Sequence, residues 1–435
     1  MRKTSSNARF LLALIVFSLV GQVAWVVENM YLNVFIYKMF RASAEQISFM
    51  VRASAVAATV TTLLIGALSD KLGKRKLFIC GGYILWGISI LGFAAIREDW
   101  VSGVFFPMAT GTTQTMALCV TLTIALDCIM TFFGSSANDA AFNAWLTDSS
   151  DETNRGRVEG INSMMPLMAI LVVFGGFMSL NQDLQESWTI IFCVIGGVVL
   201  LMGVAGLFLI RDSKIQTEEN RNYFKNIFYG FRPNVIRKHG KLYVALLVFA
   251  LFNIAIQIYM PYLILYYTES LKLSNYVLIM APAIILAAVF TAIYGKVYDK
   301  KGFRFAIIPV MSLLLAGFGV LYLFRGTALV FIGSLLMMCG YLSGMAMFGA
   351  LIRDHTPEKK AGMFQGLRIC FQVLLPGVIG PAIGAAILKN AETVMNADGT
   401  TSFLPNENIF LGAFIAAAIT VAALFPLCRL LKKGK

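Results

Sequence analysis

The sequence predicts an all-α integral membrane protein in which twelve transmembrane helices form two pseudo-symmetric bundles of six. Three observations predict it. Of 435 residues, 58% are hydrophobic and only 14% charged, whereas a soluble domain is about half apolar and about a quarter charged, so lipid must solvate most of this surface. Twelve apolar runs of membrane-crossing length follow one another along the chain. Two short motifs recur at corresponding loops of its two halves.

The runs predict α1 over 10–37, α2 over 46–69, α3 over 77–96, α4 over 116–146, α5 over 158–180 and α6 over 188–210. They continue with α7 over 242–268, α8 over 276–297, α9 over 305–324, α10 over 327–352, α11 over 363–388 and α12 over 408–431. The first run is too long for the core of a signal peptide and lacks a small-residue cleavage site, so it reads as a span. The stretch 98–115, rich in Gly and Thr and half apolar, resists assignment.

Orientation follows from Lys and Arg. With the N-terminus inside, the cytoplasmic segments hold 28 basic residues and the outer loops six, namely Lys38, Arg41, Arg97, Lys272, Arg325 and Lys389. That bias places both termini in the cytoplasm, as expected for a protein of the plasma or inner membrane. It also accounts for the net charge of +13 without nucleic acid. The longest basic segment, 211–241, divides the chain into an N-terminal bundle, 1–210, and a C-terminal bundle, 242–435, with a cytoplasmic linker between them. All seven cysteines fall in apolar stretches, which argues against a disulfide framework or a metal site.

The loop after α2 reads Gly66-x3-Asp70-x2-Gly73-x-Arg75, and the loop after α8 reads Gly295-x3-Asp299-x2-Gly302-x-Arg304. A second pair follows: Asp148-x7-Gly156-x3-Gly160 after α4 and Asp354-x7-Gly362-x3-Gly366 after α10, with Glu152 and Glu358 also matching. Repeats in register imply two homologous bundles related by an axis along the membrane normal, with solute bound between them. In the first loop Gly66 would let α2 closely approach its partner helix in the other half. Asp70 would accept from backbone N–H groups and pair with Arg, closing the cytoplasmic side. Gly73 would permit the turn.

This loop resembles the signature of the major facilitator superfamily, and the resemblance spans the whole chain. It implies a carrier working by alternating access. A narrower resemblance, to the glycoside–pentoside–hexuronide cation symporters, rests on Asn138-Asp139-Ala-Ala-Phe142-Asn-Ala-Trp-Leu-Thr-Asp148, on Arg155, on Arg52 in α2 and on the Gly362-x3-Gly366 step. In that family the acid matching Asp139 contacts sugar, and so does an acid at the position of Gln22. Those symporters also carry acids three and seven residues after the helix 2 Arg. Here these are Ala55 and Thr59, so a proton is expected in place of sodium.

Charged and amide groups within spans need partners or a wet cavity. On α1, Gln22, Trp25, Asn29 and Asn33 follow i, i+3, i+7, i+11 and share one helix face. Amides on that face could bind hydroxyls while the indole receives sugar C–H groups; they could equally be glue between helices. In α4, Asp139 and Asn143 lie one turn apart. The C-terminal half offers Asn253 and Gln257 on α7, just before Pro261, and Gln365, Arg368 and Gln372 on α11. Tyr266 and Tyr267 could form an interfacial belt.

Glu28 lies off the α1 stripe, at a depth shared with Asp127 and Arg52. Two acids and one Arg leave one carboxylate unmatched, and such a group can exchange a proton, which makes the trio a candidate cation-coupling site. The same charges could instead simply hold the bundle together. No Walker loop is present, so ATP is not expected to drive transport. His239 and His355 both fall in loops and no paired metal ligands stand out, so neither an enzyme, a metal nor a cofactor is expected. The expected partners are a small solute, a coupling cation and lipid, with the chain acting as a monomer. A carrier of amphiphiles, lysolipids or drugs is the alternative, and a receptor that binds without transporting is a third reading.

Overall fold

The computed structural model describes residues 2–105, 110–149, 155–211, 229–273, 275–356, 366–396 and 399–432. The first half forms α1 (Ala8–Phe40), α2 (Ala44–Leu72), α3 (Arg75–Phe93), α4 (Thr113–Ser149), α5 (Arg155–Phe177) and α6 (Gln185–Leu209). The second forms α7 (Gly240–Ser270), α8 (Val277–Lys301), α9 (Phe303–Leu323), α10 (Thr327–His355), α11 (Gly366–Leu388) and α12 (Asn408–Lys432). These are the twelve apolar runs of the sequence. Their outward faces carry bare apolar side chains: Leu201, Phe208, Ile293 and Phe425 are each more than 60% exposed. Such faces are stable only against lipid, and helices cross lipid because they satisfy every backbone polar group internally.

The hard-to-assign stretch resolves into a short helix, Glu98–Trp100, followed by a π segment, Val101–Phe105. Beyond it Thr112 starts α4, its hydroxyl accepting from the Thr115 N–H, a side-chain cap that satisfies one of the free donors of the first turn. Part of the linker is also helical, over Pro233–Lys238. An antiparallel pair that periodicity did not announce, β1 (Thr393–Met395) and β2 (Thr401–Phe403), lies between α11 and α12.

The chain divides into two units. The first comprises Met1–Ala42, Val56–Ile227 and Ala397–Thr400; the second comprises Ser43–Ala55, Phe228–Asn396 and Thr401–Lys435. The boundary after Ile227 falls inside the basic segment 211–241. In the first unit α3 and α6 meet through small residues: a Cβ on Gly87 would sit 2.5 Å from the Leu200 nitrogen, and one on Gly203 2.6 Å from the Ile84 nitrogen. Close backbone approach of this kind gives helices dispersion contact where lipid supplies no hydrophobic drive. An aromatic cluster of Tyr31, Phe35, Trp188 and Phe192 fills the neighbouring core, with Phe35 5.0 Å from Phe192 between ring centroids.

In the second unit α9 packs on α10 in the same manner, Gly317 against Met337 and Gly340 against Leu314. The opening turns of α2 belong to this unit as well. There the Tyr262 hydroxyl donates to the Ala44 carbonyl at 2.9 Å, and Ala55 fits against Gly377. Tyr266 and Tyr267, expected as a possible belt, are 1% and 0% exposed. They are core residues, with the Tyr267 and Ser334 hydroxyls hydrogen-bonded at 2.7 Å.

Candidate functional site

Four of the spans depart from regular α geometry where polar residues gather. The segments Val27–Tyr31 in α1, Ser135–Phe142 in α4, Tyr266–Ser270 in α7 and Cys370–Leu374 in α11 are π-helical. Each widened turn inserts residues, turns the later side chains to a new face and loosens the carbonyl ladder, which is why such segments mark functional sites.

In the first unit the α1 stripe holds over its first three members. Gln22 and Trp25 are half-buried and Asn29 is exposed. Asn33 leaves the stripe and is 1% exposed. The cause is the π segment between them, since one added residue rotates every later side chain of the helix by about 100°. The Asn29 amide donates to the Trp25 carbonyl at 2.8 Å and the Asn33 amide to the Asn29 carbonyl at 2.9 Å. Both therefore serve the loosened turn, and only Asn29 remains on the open face.

Asp139 stands in the α4 π segment. Its carboxylate accepts from Ser135 Oγ at 3.1 Å and from Asn138 Nδ2 at 3.4 Å. The Trp25 indole N–H points toward it without reaching hydrogen-bonding geometry, and its ring lies 5.1 Å from that of Trp86. Behind Asp139, the Tyr83 hydroxyl reaches the Asn138 side-chain Oδ1 at 3.1 Å and the Phe17 backbone carbonyl at 2.9 Å. Gly21 leaves room for this: a Cβ there would come within 2.5 Å of Asn138 Oδ1 and 2.7 Å of the Tyr83 hydroxyl. Asn143 is exposed, its amide bound to the Asp139 backbone carbonyl at 3.2 Å rather than to the carboxylate. Sequence reasoning missed Tyr83, Ser135 and Gly21. The adjacent Asn138-Asp139 pair was a signal that a supporting layer should be sought.

Glu28 and Asp127 are 7% and 1% exposed. Thr131 Oγ1, one turn after Asp127 on α4, donates to Glu28 Oε1 at 2.9 Å. Arg52, expected to join them, instead binds Glu45 at 2.5 Å. The two lie seven residues apart, two turns along one face of α2, in the stretch that packs with the second unit.

In the second unit Asn253 is 7% exposed, and its amide donates to the Phe249 carbonyl at 2.9 Å within its own helix. Gln257 is half-buried. On α11 the Arg368 guanidinium donates through Nε to Gln372 Oε1 at 3.1 Å. Among the described residues no group of three His, Cys, Asp or Glu is placed to hold a metal ion.

The signature loops share their turns. Gly73 and Gly302 both adopt positive φ, 65° and 75°, a conformation that penalises any side chain. Arg75 is 4% exposed. It donates to Asp148 at 3.1 Å and to Ser69 Oγ at 2.5 Å, so within the first unit the two repeated motifs bind each other. In the second unit Tyr298, which stands where Ser69 stands, donates to Asp354, which stands where Asp148 stands, at 3.2 Å. Asp299 and Arg304 are exposed. A Cβ at Gly66 or at Gly295 would meet no described atom within 4 Å. The Asp70 side chain, Glu152, Glu358, Gly362 and Gln365 lie outside the described residues.

Twelve spans in two units, each unit with its own copy of the paired motifs and with polar residues at broken turns, define a polytopic membrane carrier. The sequence pattern of the Major Facilitator Superfamily matches residues 10–381, and the chain belongs to that superfamily of transporters. A sequence search of the curated proteins returns no match. Among solved structures the fold is similar to the xylose transporter XylE from E. coli in a partially occluded inward-open conformation. That comparison has 12% identity and a TM-score of 0.69, over 95% of this chain and 98% of that one. It is also similar to the nucleoside transporter NupG (13% identity, TM-score 0.63, 97% and 98% covered). A bacterial homolog of the human lysosomal transporter Spinster gives 13% identity and a TM-score of 0.70 with 98% of both chains covered.

Proposed function

We propose that this transporter moves a small polar solute, a sugar or glycoside, by alternating access, and that a cation drives it, a proton rather than sodium. The observation that carries the reading is the open face of the first unit. There a carboxylate held by Ser135 and Asn138 stands beside the Trp25 indole, with Gln22 and Asn29 on the same stripe. A carboxylate accepts from vicinal hydroxyls, amides donate and accept, and an indole face receives C–H groups. One negative charge among neutral groups suits an uncharged polyol better than an anion. The structural neighbours include carriers of xylose and of nucleosides, solutes that share a hydroxyl-bearing ring, which agrees with this reading. In it the chain acts as a monomer in the cell membrane with both termini cytoplasmic, and the signature loops, Asp70 and Asp299 included, gate the cytoplasmic side.

The test is a thermal-shift screen of purified protein against sugars, amphiphiles and cations, since a ligand that binds the folded state raises its midpoint. A sugar or glycoside is expected to give a shift that Asp139→Asn weakens. Shifts from amphiphiles alone would replace the sugar reading with the amphiphile one.

A further inference from the structure

The basic segment before α7 carries more than a topology signal needs. Between Glu219 and Glu269 the sequence holds six cations, Arg221, Lys225, Arg232, Arg237, Lys238 and Lys241, and no acid. Aromatic residues interleave with the first of them, at Tyr223, Phe224, Phe228, Tyr229 and Phe231. A segment that only tethers two bundles gains nothing from aromatic side chains. One that only sets orientation gains nothing from excluding acids, because Asp and Glu contribute little to orientation.

The last part of this segment is fixed on the second unit. The Tyr243 hydroxyl of α7 donates to the Gly230 carbonyl. Gly230 lies against α11, where a Cβ on it would come 3.3 Å from the Leu367 Cβ. Pro233 then opens the short helix Pro233–Lys238, in which Val235 is buried. His239, at φ −115° and ψ 35°, leaves helical geometry, so this helix does not simply extend α7, which starts at Gly240. Phe231 and Ile236 are 42% and 40% exposed although they precede the span. Arg232, Arg237 and Lys238 beside them are exposed as well. Among the described residues Arg237, Lys238 and Lys241 form no ion pair.

An anchored segment at the mouth of a span that shows cations and large apolar side chains together suits the headgroup layer of a membrane. Its apolar side chains reach the acyl boundary while its cations meet lipid phosphates. Clusters of Lys and Arg next to a span attract anionic lipid in this way. A zwitterionic headgroup would leave the cations without a net counter-charge, and a soluble phosphate would leave the apolar side chains in water.

We propose that residues 230–241 form a docking surface for anionic phospholipid, with Arg237, Lys238 and Lys241 holding the phosphate and Phe231 and Ile236 entering the boundary with the acyl chains. The proposal needs neither the solute nor the coupling ion of the reading above. The probes are phosphatidylglycerol, phosphatidylcholine with the same chains, and glycerol phosphate as a headgroup without chains. Each is titrated into the purified protein in neutral detergent while the thermal midpoint is read. In wild type, phosphatidylglycerol is expected to raise the midpoint at lower concentration than phosphatidylcholine, and glycerol phosphate to give no rise. Salt at about 1 M is expected to erase the difference between the two lipids. Arg237→Gln/Lys238→Gln is expected to need about 25-fold more phosphatidylglycerol, about fivefold for each charge removed. Phe231→Ser/Ile236→Ser is expected to weaken the response to both lipids. The charge variant alters exposed side chains only, so it keeps the test open if the serine variant fails to fold. The control Arg429→Gln/Lys432→Gln, which removes two exposed cations at the end of α12, is expected to respond as wild type does. An undiminished phosphatidylglycerol response in Arg237→Gln/Lys238→Gln would overturn the proposal. So would an equal loss in the control, which would mark an effect of net charge alone, or an equal rise with glycerol phosphate, which would mark a soluble ligand.

Discussion

The Arg75–Asp148 pair allows a quantitative forecast because its two ends are unequally buried. The Arg75 side chain is 5% exposed and that of Asp148 27%, at 3.1 Å. Asp148→Asn removes a counter-charge from a buried guanidinium, a loss of up to about 3–5 kcal/mol when a buried pair is broken from one side. Arg75→Ala leaves a carboxylate that water already reaches, so the cost is nearer that of one charged hydrogen bond, about 1.5–3 kcal/mol. For a unit of this size about 1 kcal/mol moves the thermal midpoint by about 2–4 °C, which gives losses of roughly 10 °C for Asp148→Asn and roughly 5 °C for Arg75→Ala. The double variant Arg75→Met/Asp148→Leu, with neither charge left, should return to within about 1 kcal/mol of wild type. Thermal unfolding in detergent, followed by labelling of the buried cysteines as they become reactive, reads all three. If Arg75→Ala proves as damaging as Asp148→Asn, or if the double variant is the worst of the three, the burial argument fails.

Other outcomes rest on single positions. Gly302→Ala places a Cβ at φ 75°, ψ 170°, a region essentially restricted to glycine, and should destabilise by about 1–3 kcal/mol in the same unfolding assay. Gly21→Ala drives a methyl into Asn138 and Tyr83; it should weaken solute binding at least tenfold by titration calorimetry, while Gly66→Ala, with open space around it, should leave binding unchanged. Glu28→Gln and Asp127→Asn should each abolish the response of uptake to a pH gradient yet retain downhill uptake, measured in vesicles. A cysteine placed at Asn220 should react with an impermeant reagent only after cells are opened; rapid labelling of intact cells would invert the topology.

The spans were legible because lipid imposes one rule on every helix, and the repeat was legible because both signature loops need glycine at the same turn. The side-chain partners were less so. A π turn depends on how neighbouring helices pack, and no residue pattern encodes it, so the periodicity that placed Asn33 on the open face failed five residues after Glu28. Arg52 was matched to acids by depth alone, although Glu45 offered a nearer partner on its own helix. The tyrosines of α7 looked interfacial because aromatic residues near a span's end often are, but their burial follows from the 3-10 and π turns after Tyr259. Asp139 was picked out from the sequence as an acid of α4, whereas the layer of Tyr83 and Ser135 around it emerged only from the fold.

The central claim is that Asp139 and the α1 face bind the transported solute, and proteoliposome uptake tests it most directly. Purified wild type and Asp139→Asn are reconstituted side by side, and entry of the labelled sugar that gives the largest thermal shift is followed under an inward proton gradient. Wild type should accumulate the sugar above its outside concentration. Asp139→Asn should bind it at least ~1 kcal/mol more weakly, as a charged hydrogen bond becomes a neutral one, and should accumulate correspondingly less at low concentration. Equal accumulation by both proteins across the concentration range would contradict the account, because the solute would then be held elsewhere.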